Sequence, residues 1–192
     1  QKLPGMLHGA VLRSPHAHAV IRSIDITEAA QMPGVKAVIT GADFPDLTET
    51  GANAADVDLS QNVIARTKVL YEGHAVAAVA ATTRKQAQAA AKAIKIDYEI
   101  LPHVLTVDQA MAPGATILHA GMRTKGVDPA PEEDSNVVSR VAQERGDLDQ
   151  GFGEADLVIE RTFTTKPVHQ GYIEPHAAVA DATQNGRVHI WC

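Results

Sequence analysis

The sequence is nearly without cysteine. Its one thiol, Cys192, is the last residue, so no disulfide can close within the chain and no Cys-x-x-Cys metal knuckle exists. That usage fits a reducing compartment, and the cytoplasm is the expected location, a periplasmic parent being the other option. Aromatics are only 4% of the residues, so any core has to be aliphatic. No apolar run reaches the ~18 residues of a membrane span, and no signal peptide opens the chain. No run of five basic residues occurs and the formal net charge is -6, which argues against nucleic acid or an anionic membrane as partner. A phosphate-cradling glycine loop, a nucleophile elbow and an iron–sulfur cysteine motif are also missing, and Gly151-Phe152-Gly153 is too short for a dinucleotide fingerprint.

What remains is an ordinary globular composition, 45% hydrophobic and 21% charged, long enough for one large or two small domains. The best-patterned stretch is Val69–Pro102. It reads as strand, tight turn, strand, helix, strand, and predicts an α+β scaffold. Ala75–Ala81 is a continuous small apolar run that suits a strand buried on both faces. Thr83-Arg84-Lys85-Gln86 is a capping box. Ala87, Ala90, Ala91 and Ile94 follow at helical spacing, with Lys85, Gln88, Lys92 and Lys95 off that stripe. Lys95–Leu101 alternates in polarity, as a half-buried strand does, and Pro102 ends it.

Upstream, Met6–Leu12, His18–Ile26 and Val35–Thr40 read as strands, with a short helix Glu28–Met32 capped from Asp25-Ile26-Thr27. Residues 46–67 have no convincing period and read as a long polar loop. Downstream, Leu105–Met111 predicts a helical turn, residues 119–145 a linker, and Leu148–Glu154 a helix started by Asp147 or Asp149. Asp156–Thr164, Ala177–Asp181 and Val188–Cys192 read as strands, the last two joined by Gln184-Asn185-Gly186, a strong hairpin signal. The chain begins at Gln1 and stops on Ile190-Trp191-Cys192 in mid-strand, which predicts a piece of a longer polypeptide.

Three places can carry chemistry. His16 and His18 share one face of a strand, but two imidazoles fall short of the three or four ligands zinc usually takes, and no metal site is expected. His74, in the turn after Gly73, can present an imidazole to a ligand or be satisfied by backbone carbonyls. Gly73 beside it predicts a positive φ or a close backbone approach. Glu174, within Tyr172-Ile173-Glu174-Pro175, can be a desolvated carboxylate with a raised pKa that binds a ligand, or a salt-bridged surface glutamate beside a turn proline.

Motifs in order add a resemblance. Leu3–Gly9 with Val11-Leu12-Arg13-Ser14-Pro15-His16-Ala17-His18-Ala19, then Met32-Pro33-Gly34-Val35 and Ile39–Asp43, are followed by Tyr71-Glu72-Gly73-His74-Ala75-Val76-Ala77. Asp97-Tyr98-Glu99 with Leu101-Pro102, Gly146-Asp147, Glu160-Arg161-Thr162-Phe163 and Ile173-Glu174-Pro175 complete the series. Together they resemble the molybdenum-binding large subunit of the xanthine dehydrogenase and aldehyde oxidase family. The resemblance implies an α/β-hammerhead domain over residues 1–118, a linker over 119–145, and over 146–192 the truncated first strands and helix of the molybdopterin-binding region.

It further implies a parent oxidoreductase that hydroxylates an aldehyde or N-heterocycle carbon with oxygen from water. The parent would hold a molybdenum–molybdopterin cofactor, and iron–sulfur clusters and flavin (FAD) would sit on partner subunits or domains. Glu174 matches a glutamate that hydrogen-bonds substrate in xanthine dehydrogenases. His74 stands where glutamine is common and is a candidate cofactor contact. The family's Gly-Gly-x-Phe-Gly cofactor segment and its catalytic-base glutamate are both absent from the chain. No catalytic residue, bound cofactor or activity is therefore expected of it alone. Its expected partners are the rest of the large subunit, iron–sulfur and flavin subunits and a small-molecule substrate, and the isolated chain is expected to self-associate. The alternative is a free-standing hammerhead module that binds or assembles without catalysis.

Overall fold

The computed structural model describes residues 2–47, 54–182 and 185–192. Two compact units divide the chain, one of Pro4–Arg140 and one of Val141–Cys192 with Gln1–Leu3. The division falls inside the stretch read as a linker. In chain order the larger unit holds β1 (His8–Arg13), β2 (Ala19–Asp25), α1 (Thr27–Gln31), β3 (Val35–Thr40), α2 (Ala54–Val63) and β4 (Lys68–Val69). It continues with β5 (Ala75–Ala81), α3 (Arg84–Ala93), β6 (Lys95–Ile100) and α4 (Val107–Met111).

Two antiparallel three-stranded sheets form, ordered β1-β5-β3 and β4-β2-β6. The Val69–Pro102 stretch therefore straddles both. Its first and last strands belong to one sheet, and its middle strand is the centre of the other. In the central strand Val76, Ala77, Val79 and Ala81 are buried, as its unbroken apolar run demands. On α3 the buried residues are Ala87, Ala90 and Ala91, the side chains at helical spacing, and small methyl groups let the helix lie close on β1 and β5. Ala29, Ala77, Val79, Ala90, Ala91 and Ile94 make one core cluster. Ala19, Ala65, Val69 and Val76 make the second, and Ile24 and Ile96 pack against both. With so few aromatics the core is built from many small burials, each buried methylene contributing about 0.8 kcal/mol.

Local chemistry departs from the sequence reading in four places. Residues 46–67 are not all loop: α2 runs Ala54–Val63. Asp, Ser and Asn, weak helix formers, dilute its apolar spacing, so the period is hard to see. Residues 48–53 lie outside the described residues. The alternation in β2 is interrupted by an irregularity between Ile21 and Ser23, where Arg22 swings out to Glu99 at 2.9 Å. Helix α1 opens at Thr27 and not at Glu28, and the Asp25 carboxylate accepts the Thr27 N–H at 2.9 Å. At α3 the Thr83 hydroxyl accepts the Gln86 N–H at 3.3 Å, but the Gln86 side chain takes the Thr82 and Thr83 hydroxyls instead of a backbone N–H.

After α4, Asn136 fastens its surroundings. Its amide donates to the carbonyls of Ala110 and Thr116 at 3.2 and 2.9 Å, and its oxygen accepts the Leu118 N–H at 3.1 Å.

The second unit holds α5 (Leu148–Gly153), capped by the Asp147 carboxylate on the Gln150 N–H at 2.9 Å, and a hairpin of β7 (Val179–Ala182) and β8 (Val188–Trp191). Gly186 takes φ +80° in the hairpin turn, and residues 183 and 184 lie outside the described residues. Asp156–Thr164, expected as a strand, carries no regular structure. Its alternation is present, but among the described residues no strand pairs with it, and strand hydrogen bonds need a neighbour. Among the described residues no helix is long and apolar enough to cross a membrane.

Candidate functional site

The turn at Tyr71–His74 is locked by its backbone. Gly73 takes φ +87°, with open space where a Cβ would sit, so its glycine serves the left-handed conformation and not a close approach. The Gly73 N–H donates to Ser14 O at 2.8 Å, the Ser14 N–H returns to His74 O at 2.9 Å, and the Arg13 guanidinium caps Gly73 O at 2.8 Å. This pins the turn to the end of β1.

His74 is then fully buried, at 0% exposure. Its Nε2–H donates to Gln61 O at 3.0 Å, and its Nδ1 accepts the Leu70 N–H at 3.3 Å. The Tyr71 ring stacks on it at 4.4 Å. Both ring nitrogens hold main chain. Burial holds the imidazole below its ordinary proton affinity, against the pull of the Gln61 and Asn62 carbonyls.

His16 and His18 do not converge. His18 is buried and its Nδ1–H donates to Pro102 O at 2.6 Å, while its own carbonyl accepts the Leu101 N–H at 3.0 Å, so it ties β2 to the end of β6. His16 meets Tyr98 edge-on at 5.0 Å. Burial pushes the Tyr98 phenol up, with the Ser14 hydroxyl opposing. Among the described residues no three of His, Cys, Asp and Glu gather as metal ligands.

Glu174 stands in the second unit, in a shallow hollow with Tyr172, Pro175, His176 and Cys192. Tyr172 lies between His169 and His176, edge-on at 6.1 and 6.4 Å. Glu174 is exposed, so the desolvation expected from its apolar neighbours is not supplied by this chain. Every described residue from Val141 to Cys192 is exposed except Val179. A pterin cofactor needs an enclosed, hydrogen-bonding cradle. The described residues of this unit do not enclose one by themselves.

A feature that sequence reading missed lies in the larger unit. A cleft of about 940 Å³ opens beside α2, walled by Phe44, Leu47, Leu59, Val63, Ile64 and Leu70, with Arg66 and Lys68 at its side. The one signal for it was a lysine set against the apolar Val69-Leu70. Arg66 is engaged by Asp46 at 3.8 Å and by the Phe44 carbonyl. Lys68 donates to Leu118 O at 2.7 Å.

Comparison with known proteins agrees with this architecture. The family described as "Aldehyde oxidase and xanthine dehydrogenase, a/b hammerhead domain" matches residues 1–102, and "Molybdopterin cofactor-binding domain" matches residues 129–192. The chain is 36% identical to a probable xanthine dehydrogenase subunit of Bacillus subtilis, over 95% of this chain and 22% of that protein. It is 35% identical to the carbon monoxide dehydrogenase large chain of Afipia carboxidovorans, over 99% of this chain and 24% of that one. Among solved structures, quinoline 2-oxidoreductase from Pseudomonas putida superposes on all of this chain with TM-score 0.75 at 31% identity, using 23% of that chain. The chain thus spans about a quarter of the length of the relatives it matches. It belongs to the aldehyde oxidase and xanthine dehydrogenase family of molybdenum hydroxylases, as a fragment that carries the α/β-hammerhead and part of the molybdopterin-binding domain.

Proposed function

We propose that this chain is a stretch of the large subunit of an oxidoreductase that hydroxylates an aldehyde or N-heterocycle carbon with oxygen from water. The observation that supports this most is the pair of family matches, hammerhead then molybdopterin domain, in one chain that spans about a quarter of large-subunit relatives. When bound, molybdenum–molybdopterin supplies the redox centre at which a substrate carbon is oxidised. The residues present serve as framework: the hammerhead of residues 1–118, the linker of 119–145 and the opening of the cofactor domain from 146. Glu174 is the one substrate contact we assign, a carboxylate that accepts a hydrogen bond once the rest of the subunit closes over Tyr172–His176. Iron–sulfur and flavin partners take the electrons, and the cytoplasm is the compartment that single-cysteine usage favours.

The test is metal analysis of the intact subunit purified with its partners. Stoichiometric molybdenum is expected there and none on residues 1–192 alone. A Glu174→Gln variant of the intact enzyme should retain molybdenum and lose activity about tenfold or more, the effect of removing one charged hydrogen bond. An intact subunit free of molybdenum would overturn the reading, and a native polypeptide no longer than residues 1–192 would favour the free-standing hammerhead module.

A further inference from the structure

We propose that the open face of the β1-β5-β3 sheet seats an α-helix of the same large-subunit polypeptide, from the part of it outside residues 1–192. The proposal rests on the reading of this chain as a stretch of that subunit. Its first support is which side chains the register places there. Ala10, Val79 and Val38 stand opposite one another across the three strands and pack in the core under α3. Neighbouring residues on a strand point to opposite faces. The rows on either side, Val11-Ala78-Ile39 and Gly9-Ala80-Ala37, therefore look away from α3. Val11 and Ile39 are 49 and 37% exposed, and none of the six residues lines the cleft that Leu47 and Leu59 wall. An antiparallel sheet with one face in water alternates apolar-in and polar-out. Here neither outward row holds a polar side chain. Both faces of β5 are thus made for burial, and among the described residues α1 and α3 pack on the other one.

The second support is shape. β1 and β3 flank β5 at the strand spacing of about 4.8 Å, so Val11 and Ile39 stand as ridges about 10 Å apart over a floor of Ala78. An α-helix is about 10 Å across with its side chains. One helix fits between the ridges, and the alanine floor lets it lie close, as the alanines of α3 do on the opposite face. The result is a helix–sheet–helix layering, one of the stable ways to cover a sheet.

The third support concerns which polypeptide supplies the helix. Interfaces between separate chains are enriched in Tyr, Trp, Phe, Met and Arg and depleted in Ala. The two rows hold only Gly, Ala, Val and Ile, the composition of a core within one chain. This stretch spans 22 and 24% of two large chains it resembles, so most of such a polypeptide is available to provide the helix.

The test places a diazirine analogue of leucine at Val11, and in a second sample at Ile39, in the intact subunit purified with its partners. On illumination the label should insert into aliphatic side chains of the same polypeptide outside residues 1–192, at positions about three or four apart in sequence. Water addition should be about tenfold or more lower than in the urea-unfolded subunit, because solvent reaches the face only when the helix lifts away. The unlabelled wild-type subunit gives a second reading: hydroxyl-radical oxidation of Val11 and Ile39 should fall by about the same factor on folding. Insertion into another subunit or a second copy, seen as a band of summed mass, would overturn the proposal, as would insertion only within residues 1–192. Contacts about two apart in sequence would identify a strand and overturn it too. Water addition or oxidation equal to that of the unfolded subunit would show an open face; with full molybdenum present, that outcome would sink this inference alone. A wild-type subunit without molybdenum would sink the proposed function first.

Discussion

His74 holds main chain from inside the core. Its imidazole bridges Gln61 O and the Leu70 N–H inside the core. His74→Ala should cost about 2–4 kcal/mol, from the cavity and from two orphaned main-chain groups, measured as the urea midpoint of residues 1–192. Protonation should act in the same direction. Burial lowers the folded-state value below the ordinary 6.5, so the unfolded chain takes up the proton first as the pH falls. The stability from His74 is therefore complete above about pH 6.5 and is lost progressively below it. His74→Gln keeps a donor and an acceptor but does not titrate, so its stability should fall less than the parent's between about pH 6.5 and 5.5. Parallel profiles would show that other groups carry the slope. Gly41 makes a different demand. A Cβ there would stand 2.6 Å from Ala65 O and 2.7 Å from Arg66 Cα, both backbone atoms. Gly41→Ala should destabilise by about 1–3 kcal/mol through overpacking, and a midpoint equal to the parent's would mean that the Ala65–Arg66 segment yields freely.

At the scale of the element, α3 is the most legible part of the chain, because its threonine cap and its apolar stripe agree with one another. Thr83 accepts at the third helical N–H, and Ala87, Ala90 and Ala91 are the buried face. Two substitutions separate these contributions. Thr83→Ala should cost about 1 kcal/mol, the usual worth of an N-cap. Ala90→Leu should cost about 1–3 kcal/mol, since Ala90 is fully buried against the sheet and extra methylenes have no room. Equal midpoints for Ala90→Leu and the parent would contradict the close helix-to-sheet approach. The same consistency explains what was illegible. α2 has no strong stripe, and Asp156–Thr164 has a strand's alternation without a strand's partner. Periodicity reports which faces a segment can bury, and it is silent on whether a neighbour is present to receive them. Glu174 is exposed in this chain for the same reason: its neighbours in sequence are apolar, but burial belongs to the fold and not to the tetrapeptide.

For the whole molecule, the decisive contrast is internal. Among the described residues the Pro4–Arg140 unit contains six strands and both core clusters, whereas the other has one short helix and one hairpin. In that second unit Phe163, Val168 and Ile173 are 85, 87 and 97% exposed. Apolar surface left in water contributes nothing to stability, and at roughly 25 cal/mol per Å² each of those side chains represents a gain that only added polypeptide can realise. Residues 155–178 lack regular structure, and most of their amides have no partner within the unit, so they should exchange hydrogen at near-unprotected rates in residues 1–192 alone. The amides of β5, paired on both sides, should be the slowest in the chain. In the intact subunit the 155–178 amides should become protected while those of β5 change little. Equal protection of the two segments in a monomer of residues 1–192 would show that the second unit is stable by itself. Protection that rises with the concentration of that chain would instead identify a second copy as the surface that covers Phe163, Val168 and Ile173. Under the proposed function, that protection should come with the rest of the subunit and should not depend on concentration.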